Sequence, residues 1–125
     1  MKMLGLIVLL AGCLDSGAPE LHSLSCTPET LRASGAGPFT LSCDLEFDGE
    51  PGDIRWSGYG ANGLWAAGSD FIESADRDRG RFHFSLSKPT APPVGTLTIL
   101  VTVDHVEGID GPAGDELEKR LQVVP

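Results

Sequence analysis

Between Phe39 and Phe47 apolar and polar residues alternate without a break: Phe39, Leu41, Cys43, Leu45 and Phe47 share one side, and Thr40, Ser42, Asp44 and Glu46 share the other. Successive side chains of an extended chain point to opposite faces, so a period of two specifies a strand with one buried and one solvated face. A helix would scatter the same five apolar residues around its axis. A strand of this kind has to be covered by more sheet, and the rest of the chain supplies it.

In Thr96–Val103, Leu97, Ile99, Val101 and Val103 face one way and Thr96, Thr98 and Thr102 the other, with Leu100 as the one break in the pattern. In Arg81–Ser87, Phe82, Phe84 and Leu86 turn inward and leave Arg81, His83 and Ser85 in solvent. Shorter extended segments are expected at Leu21–Cys26, Asp53–Ser57, Leu64–Ala66, Ser69–Glu73 and Glu118–Val124. Turn-forming stretches separate them: Ser34–Pro38, Asp48–Gly52, Gly58–Gly63, Asp76–Gly80, Pro89–Gly95 and Gly108–Gly114. Seven or eight short strands punctuated in this way predict an all-β fold, an antiparallel β-sandwich over residues 21–125. Gly114–Leu121 is read as the lead-in to the last strand, with a short helix as its alternative.

The N-terminus has a different grammar. Met1-Lys2 is followed by an apolar run from Met3 to Leu10, interrupted only by Gly5, and then by the small pair Ala11-Gly12. A basic start, a short apolar run and small residues are the parts of an export signal. About ten apolar residues make only ~15 Å of helix against a bilayer core of ~30 Å, too short for a stable span. Leu10-Ala11-Gly12-Cys13 resembles the lipobox of bacterial lipoproteins. The resemblance implies a signal peptide over residues 1–12, cleavage before Cys13 and lipidation of the Cys13 sulfur. It also implies a lipid anchor in the cell envelope, with residues 13–20 as tether. In that family an aspartate after the cysteine retains some members in the inner membrane; Leu14 stands there instead, which favours the outer membrane. Two or three acyl chains hold a soluble domain firmly where one holds it only marginally.

The chain carries 9 basic and 18 acidic residues, a formal charge of −9, and losing Lys2 with the signal makes it −10. Nucleic acid and anionic membrane surfaces bind through basic faces, so no nucleic-acid partner is expected. The membrane is reached through the lipid anchor, and a protein partner in the envelope is expected.

The stretch Gly37-Pro38-Phe39-Thr40-Leu41-Ser42-Cys43 is similar to the second strand of immunoglobulin-like domains of bacterial type, and Trp56 stands about where their third-strand tryptophan packs on the core. Gly95–Asp104, Gly108 and Leu121–Val124 resemble the last hairpin of PKD-like repeats. The antibody-type pattern departs at the penultimate strand, where Val101 or Val103 occupies the place of the second cysteine. With Cys13 assigned to lipid, Cys26 is the remaining partner for Cys43, and an even remainder in an exported protein reads as one disulfide. Two buried free thiols are the alternative.

Little in the chain points to catalysis. His22, His83 and His105 are scattered, no GxSxG, HExxH or CxxC accompanies them, and Asp104-His105 reads as a solvated pair at a loop edge. The chain is therefore expected not to be an enzyme and to need no cofactor. Calcium is the chemical option left open. Asp104, Glu107 and Asp110, with Asp115 and Glu116 beyond them, fall in the final hairpin loop, where PKD-like domains sometimes place ions. The other acidic stretch, Asp76-Arg77-Asp78-Arg79-Gly80, carries its own neutralising arginines. The glycine-rich segment Trp56–Trp65 holds Trp56 as a core residue. Its other aromatics, Tyr59 and Trp65, form either a recognition surface or inward anchors. The expected function is that of a membrane-anchored binding or structural accessory module. The alternative is a calcium-dependent adhesion or carbohydrate-binding module.

Overall fold

The computed structural model describes residues 17–125. The expected signal peptide over residues 1–12, the lipobox-like sequence Leu10–Cys13 and the expected lipidation at Cys13 lie outside the described residues. Eight strands form two sheets: β1 (Glu20–Thr27), β3 (Phe39–Asp48) and β6 (Arg81–Lys88) in one, and β2 (Thr30–Arg32), β4 (Pro51–Gly60), β5 (Gly63–Phe71), β7 (Gly95–His105) and β8 (Asp115–Val124) in the other. The first has the order β1-β3-β6 and the second β2-β8-β7-β4-β5. This is an all-β sandwich of the immunoglobulin-like kind.

Alternation decides what each sheet gives to the interior. Leu41, Cys43, Leu45 and Phe47 of β3 and Phe82, Phe84 and Leu86 of β6 point inward, where they meet Ile54 of β4 and Leu97, Ile99, Val101 and Val103 of β7. Leu121 and Val123 of β8 and Leu21, Leu24 and Cys26 of β1 add to the core, with Leu31, Trp65, Ala66 and Ile72. Full burial of one such aliphatic or aromatic side chain contributes about 1.5–3 kcal/mol, and that burial is what holds the two layers together. Trp56 enters the same core at its margin, stacked on Phe84 with ring centroids 4.7 Å apart and tilted against Phe82 at 6.2 Å.

Several elements depart from the sequence expectations. The pairing is antiparallel except at β2, which runs parallel to β8. The chain leaves β1 at Thr27, meets Pro28, which has no N–H to continue a ladder, and crosses to the other sheet. A single β5 replaces the two strands expected at Leu64–Ala66 and Ser69–Glu73, and β4 runs on through the glycines expected to break it. Gly58 explains the second difference, because a Cβ there would lie 3.3 Å from Ile99 Cδ1, so the bare backbone suits a strand pressed on the core. The turn shrinks to Ala61-Asn62 between Gly60 and Gly63, a two-residue hairpin loop. Gly114–Leu121 is extended, because β8 is paired residue by residue with β7 from Val103–Asp115 to Gly95–Val123. A ladder of that length overrides a local helical preference. A short helix forms elsewhere, at α1 (Ser74–Arg79), and Gly80 ends it with φ 71°, its N–H reaching the carbonyls of Asp76 and Arg77.

Of the residues 13–20 expected as tether, 17–20 belong to the folded unit: Glu20 is already in β1, Pro19 is buried, and Glu50 N–H donates to the Gly17 carbonyl at 2.9 Å. Cys26 and Cys43 are joined in a disulfide between directly facing residues of β1 and β3. The bond therefore staples two strands of one sheet; it does not bridge the layers.

Candidate functional site

The polar side of the five-stranded sheet carries apolar surface that its strand patterning does not account for. On β4 the outward residues are Asp53, Arg55, Ser57 and Tyr59; on β7 they are Thr98, Leu100, Thr102 and Asp104. Register sets Arg55 beside Thr102, Ser57 beside Leu100 and Tyr59 beside Thr98, while on the other flank Ser57 faces Ala67 and Tyr59 faces Leu64. A shallow groove of about 500 Å³ results, lined by Arg55, Ser57, Tyr59, Ala67, Ser69 and Leu100 among others. Tyr59 is 44% and Leu64 60% exposed, which puts apolar and aromatic surface beside hydroxyls and one guanidinium. Arg55 Nη1 lies 3.4 Å from Asp104 Oδ2 and closes one end. Glu116, Glu118 and Arg120 of β8 stand exposed beyond β7.

The two aromatics singled out in the sequence part company. Tyr59 is on this outer face. Trp65 is buried, and its indole Nε1–H donates to the Thr90 carbonyl at 2.8 Å, so it anchors the loop before β7 to the end of the sandwich. The irregular register between Gly58 and Tyr59 opposite β5 is the cause, since it breaks strict alternation at the turn end of the hairpin. Leu100 and Leu64 were not anticipated as surface residues. The one signal available was that Leu100 interrupts the alternation of its strand.

The calcium candidates are distributed. Asp104 is engaged with Arg55, Asp110 closes the exposed 3₁₀ turn Gly108–Asp110, and Glu107 precedes that turn. Asp115 is turned inward to structural use, accepting the Leu21 N–H at 2.9 Å and the Glu116 N–H at 2.8 Å. Among the described residues, Asp104, Glu107 and Asp110 do not bring three side-chain ligand atoms together.

The histidines also separate. His83 on β6 lies 3.0 Å from Asp44 on β3, both exposed. His22 Nε2 lies 2.7 Å from Asp48 Oδ2, and that hydrogen bond raises the His22 pKa above its ordinary value, with the charges of Asp48, Glu20 and Glu46 adding to it. His105 is buried, contrary to the solvated loop-edge pair expected with Asp104. Alternation points the two to opposite faces, and the ring accepts the Glu107 N–H at Nδ1 over 3.1 Å. That hydrogen bond places the imidazole proton on Nε2. Gly111 packs so closely on the ring that a side chain there would overlap it. No protein-family model matches this chain, and no curated protein matches it significantly.

Proposed function

We propose that the chain is a bacterial lipoprotein, anchored through a lipidated Cys13 in the cell envelope, whose sandwich is a binding or structural accessory module. The outer membrane is the favoured location, and a protein partner is engaged through the outer face of the five-stranded sheet. The observation that carries the binding face is the exposure of Tyr59 and Leu64 beside Leu100, on a side that the strand pattern reserves for polar residues. Exposed apolar patches on an otherwise polar face mark interaction sites. Interfaces favour tyrosine and arginine, and Tyr59 and Arg55 both line this groove. The acidic balance of the chain speaks against nucleic acid as the partner.

A carbohydrate is the second reading for the same groove, because it combines one aromatic ring with the hydroxyls of Ser57, Ser69 and Thr102. Two experiments test the proposal. Membrane fractionation of Cys13→Ala should move the protein from the membrane to the soluble fraction; a variant still pelleted with the membrane removes the anchor. Site-specific photocrosslinking from Tyr59 in intact cells should yield a discrete protein adduct that is lost in Leu100→Ser. Absence of any adduct, together with glycan-array binding abolished by Tyr59→Ala, would replace the protein partner with a glycan.

A further inference from the structure

We propose that Glu20, His22 and Asp48 form a surface binding site for a divalent transition-metal ion of zinc type. These residues offer one imidazole nitrogen and two carboxylates, with ligand atoms all within 4.8 Å of one another, and they are the one such group among the described residues. Donors around a zinc ion at bonds of about 2.0–2.2 Å sit roughly 3–3.5 Å apart, a spacing within reach of small side-chain rotations from this arrangement.

The fold assembles the group from two strands. Glu20 on β1 faces Asp48 on β3, and the ladder continues with Leu21 opposite Phe47. It then slips, so that Ser23, not His22, opposes Glu46. His22 is the extra residue of a bulge, exposed, with its ring turned towards Asp48. Bulges re-aim side chains in this way and are over-represented beside functional sites. Both sides of the cluster are held. Leu21 is buried and its N–H is fixed by Asp115, while Gly49, with φ 84°, packs against the backbone of Ala18 and Pro19. The ligands thus stand on positioned backbone.

The surrounding charges leave the three side chains available. Glu46, the next carboxylate, is already shared by Arg81 at 3.2 Å and the Ser23 hydroxyl at 3.1 Å. Arg79 is engaged by Asp76. With His22 neutral, Glu20 and Asp48 present two negative charges to an incoming cation, and the metal takes the place of the imidazole proton now directed at Asp48. An imidazole donor selects zinc, nickel or copper(II) over calcium and magnesium, which favour all-oxygen sites. Three protein ligands and an open, solvent-facing side leave positions for water. Bound there, the ion ties Glu20 and His22 to Asp48 at one end of the β1–β3 ladder, and the Cys26–Cys43 disulfide ties the other. The site lies on the opposite sheet from the Tyr59 groove and is independent of what that groove binds.

The test is a titration of the chelator-stripped full-length protein with zinc alone, followed by NMR of the histidine rings and by calorimetry. One saturable site per chain is expected, with the His22 resonances shifted and those of His83 unmoved. Calcium at the same concentrations should shift neither. His22→Gln and Asp48→Asn should each weaken binding by at least about tenfold, the loss that removing even an outer partner of a metal ligand brings. Both residues are exposed, so the folds of these variants serve as their own control in a melting curve. Unchanged His22 resonances at millimolar zinc, an affinity unaffected by His22→Gln, or equal responses of His22 and His83 would each overturn the proposal.

Discussion

The indole of Trp56 lies against the bare α-carbon of Gly68, its direct cross-strand partner on β5: a Cβ added to Gly68 would stand 2.6 Å from both Cε2 and Nε1 of the ring. The missing side chain makes the space in which the indole stacks on Phe84. Gly68→Ala is therefore expected to push Trp56 off its packing position and cost about 1–3 kcal/mol, the usual penalty for overfilling a packed site. Urea unfolding followed by tryptophan fluorescence checks this, and the native emission should shift with the midpoint.

The disulfide closes a segment with a sequence separation of 17. In the chain-entropy account a loop of that size contributes about 3 kcal/mol by restricting the unfolded chain. Reductant should lower the urea midpoint by the corresponding amount, and the double variant Cys26→Ala/Cys43→Ala should match the reduced protein and lose its sensitivity to reductant.

His22 gives stability a dependence on pH. Its folded pKa is raised, first by the hydrogen bond to Asp48 and then by neighbouring carboxylate charge. A raised histidine pKa stabilises the fold fully below the unfolded value of about 6.5, and that contribution fades as pH rises through the folded pKa. An NMR titration in the presence of chelator should give a His22 midpoint above about 6.5. Asp48→Asn should bring it down and flatten the matching part of the stability profile.

Tyr59 and Trp65 should respond to substitution in opposite ways. Trp65→Phe keeps most of the buried ring but leaves the Thr90 carbonyl without its donor, which costs about 1–3 kcal/mol. Tyr59→Ser on the outer face should change stability by no more than about 0.5 kcal/mol. Thermal melts of the two variants distinguish them. Tyr59 is consequently the residue through which binding can be read without disturbing the fold, whereas a loss of binding in Trp65→Ala would report damage to the core.

The period-two patterning of Phe39–Phe47, Arg81–Ser87 and Thr96–Val103 was enough to specify three strands, their inward faces and an all-β sandwich. Each inward residue read from those runs is in the core or packed against it. The reason is local: alternation is a property of the extended backbone itself, independent of what the strand pairs with. The pairing of Cys26 with Cys43 followed instead from the cysteine count, and the core position of Trp56 from the resemblance to immunoglobulin-like domains.

Other features depended on contacts distant in sequence. β2 exists as a strand because β8 accepts it, and β8 is extended, not helical, because β7 pairs along its length. Gly58 reads as the start of a break in sequence and Gly68 falls between two expected strands, yet both are strand residues pressed on Ile99 and Trp56. The acidic residues of the last hairpin looked like one group, but Asp104 and Asp115 turned out to be committed to Arg55 and to Leu21 N–H. Glu20 and His22 lie far from Asp48 in sequence; pairing of β1 with β3 sets Glu20 opposite Asp48, and the bulge turns His22 towards them. Taken alone, the sequence determined which residues of the regularly alternating runs face inward, because that follows from backbone geometry and the cost of burying polar groups. Which side chains meet on the surface was decided only by register, bulges and strand order, since these depend on how the two sheets pair and close over one another.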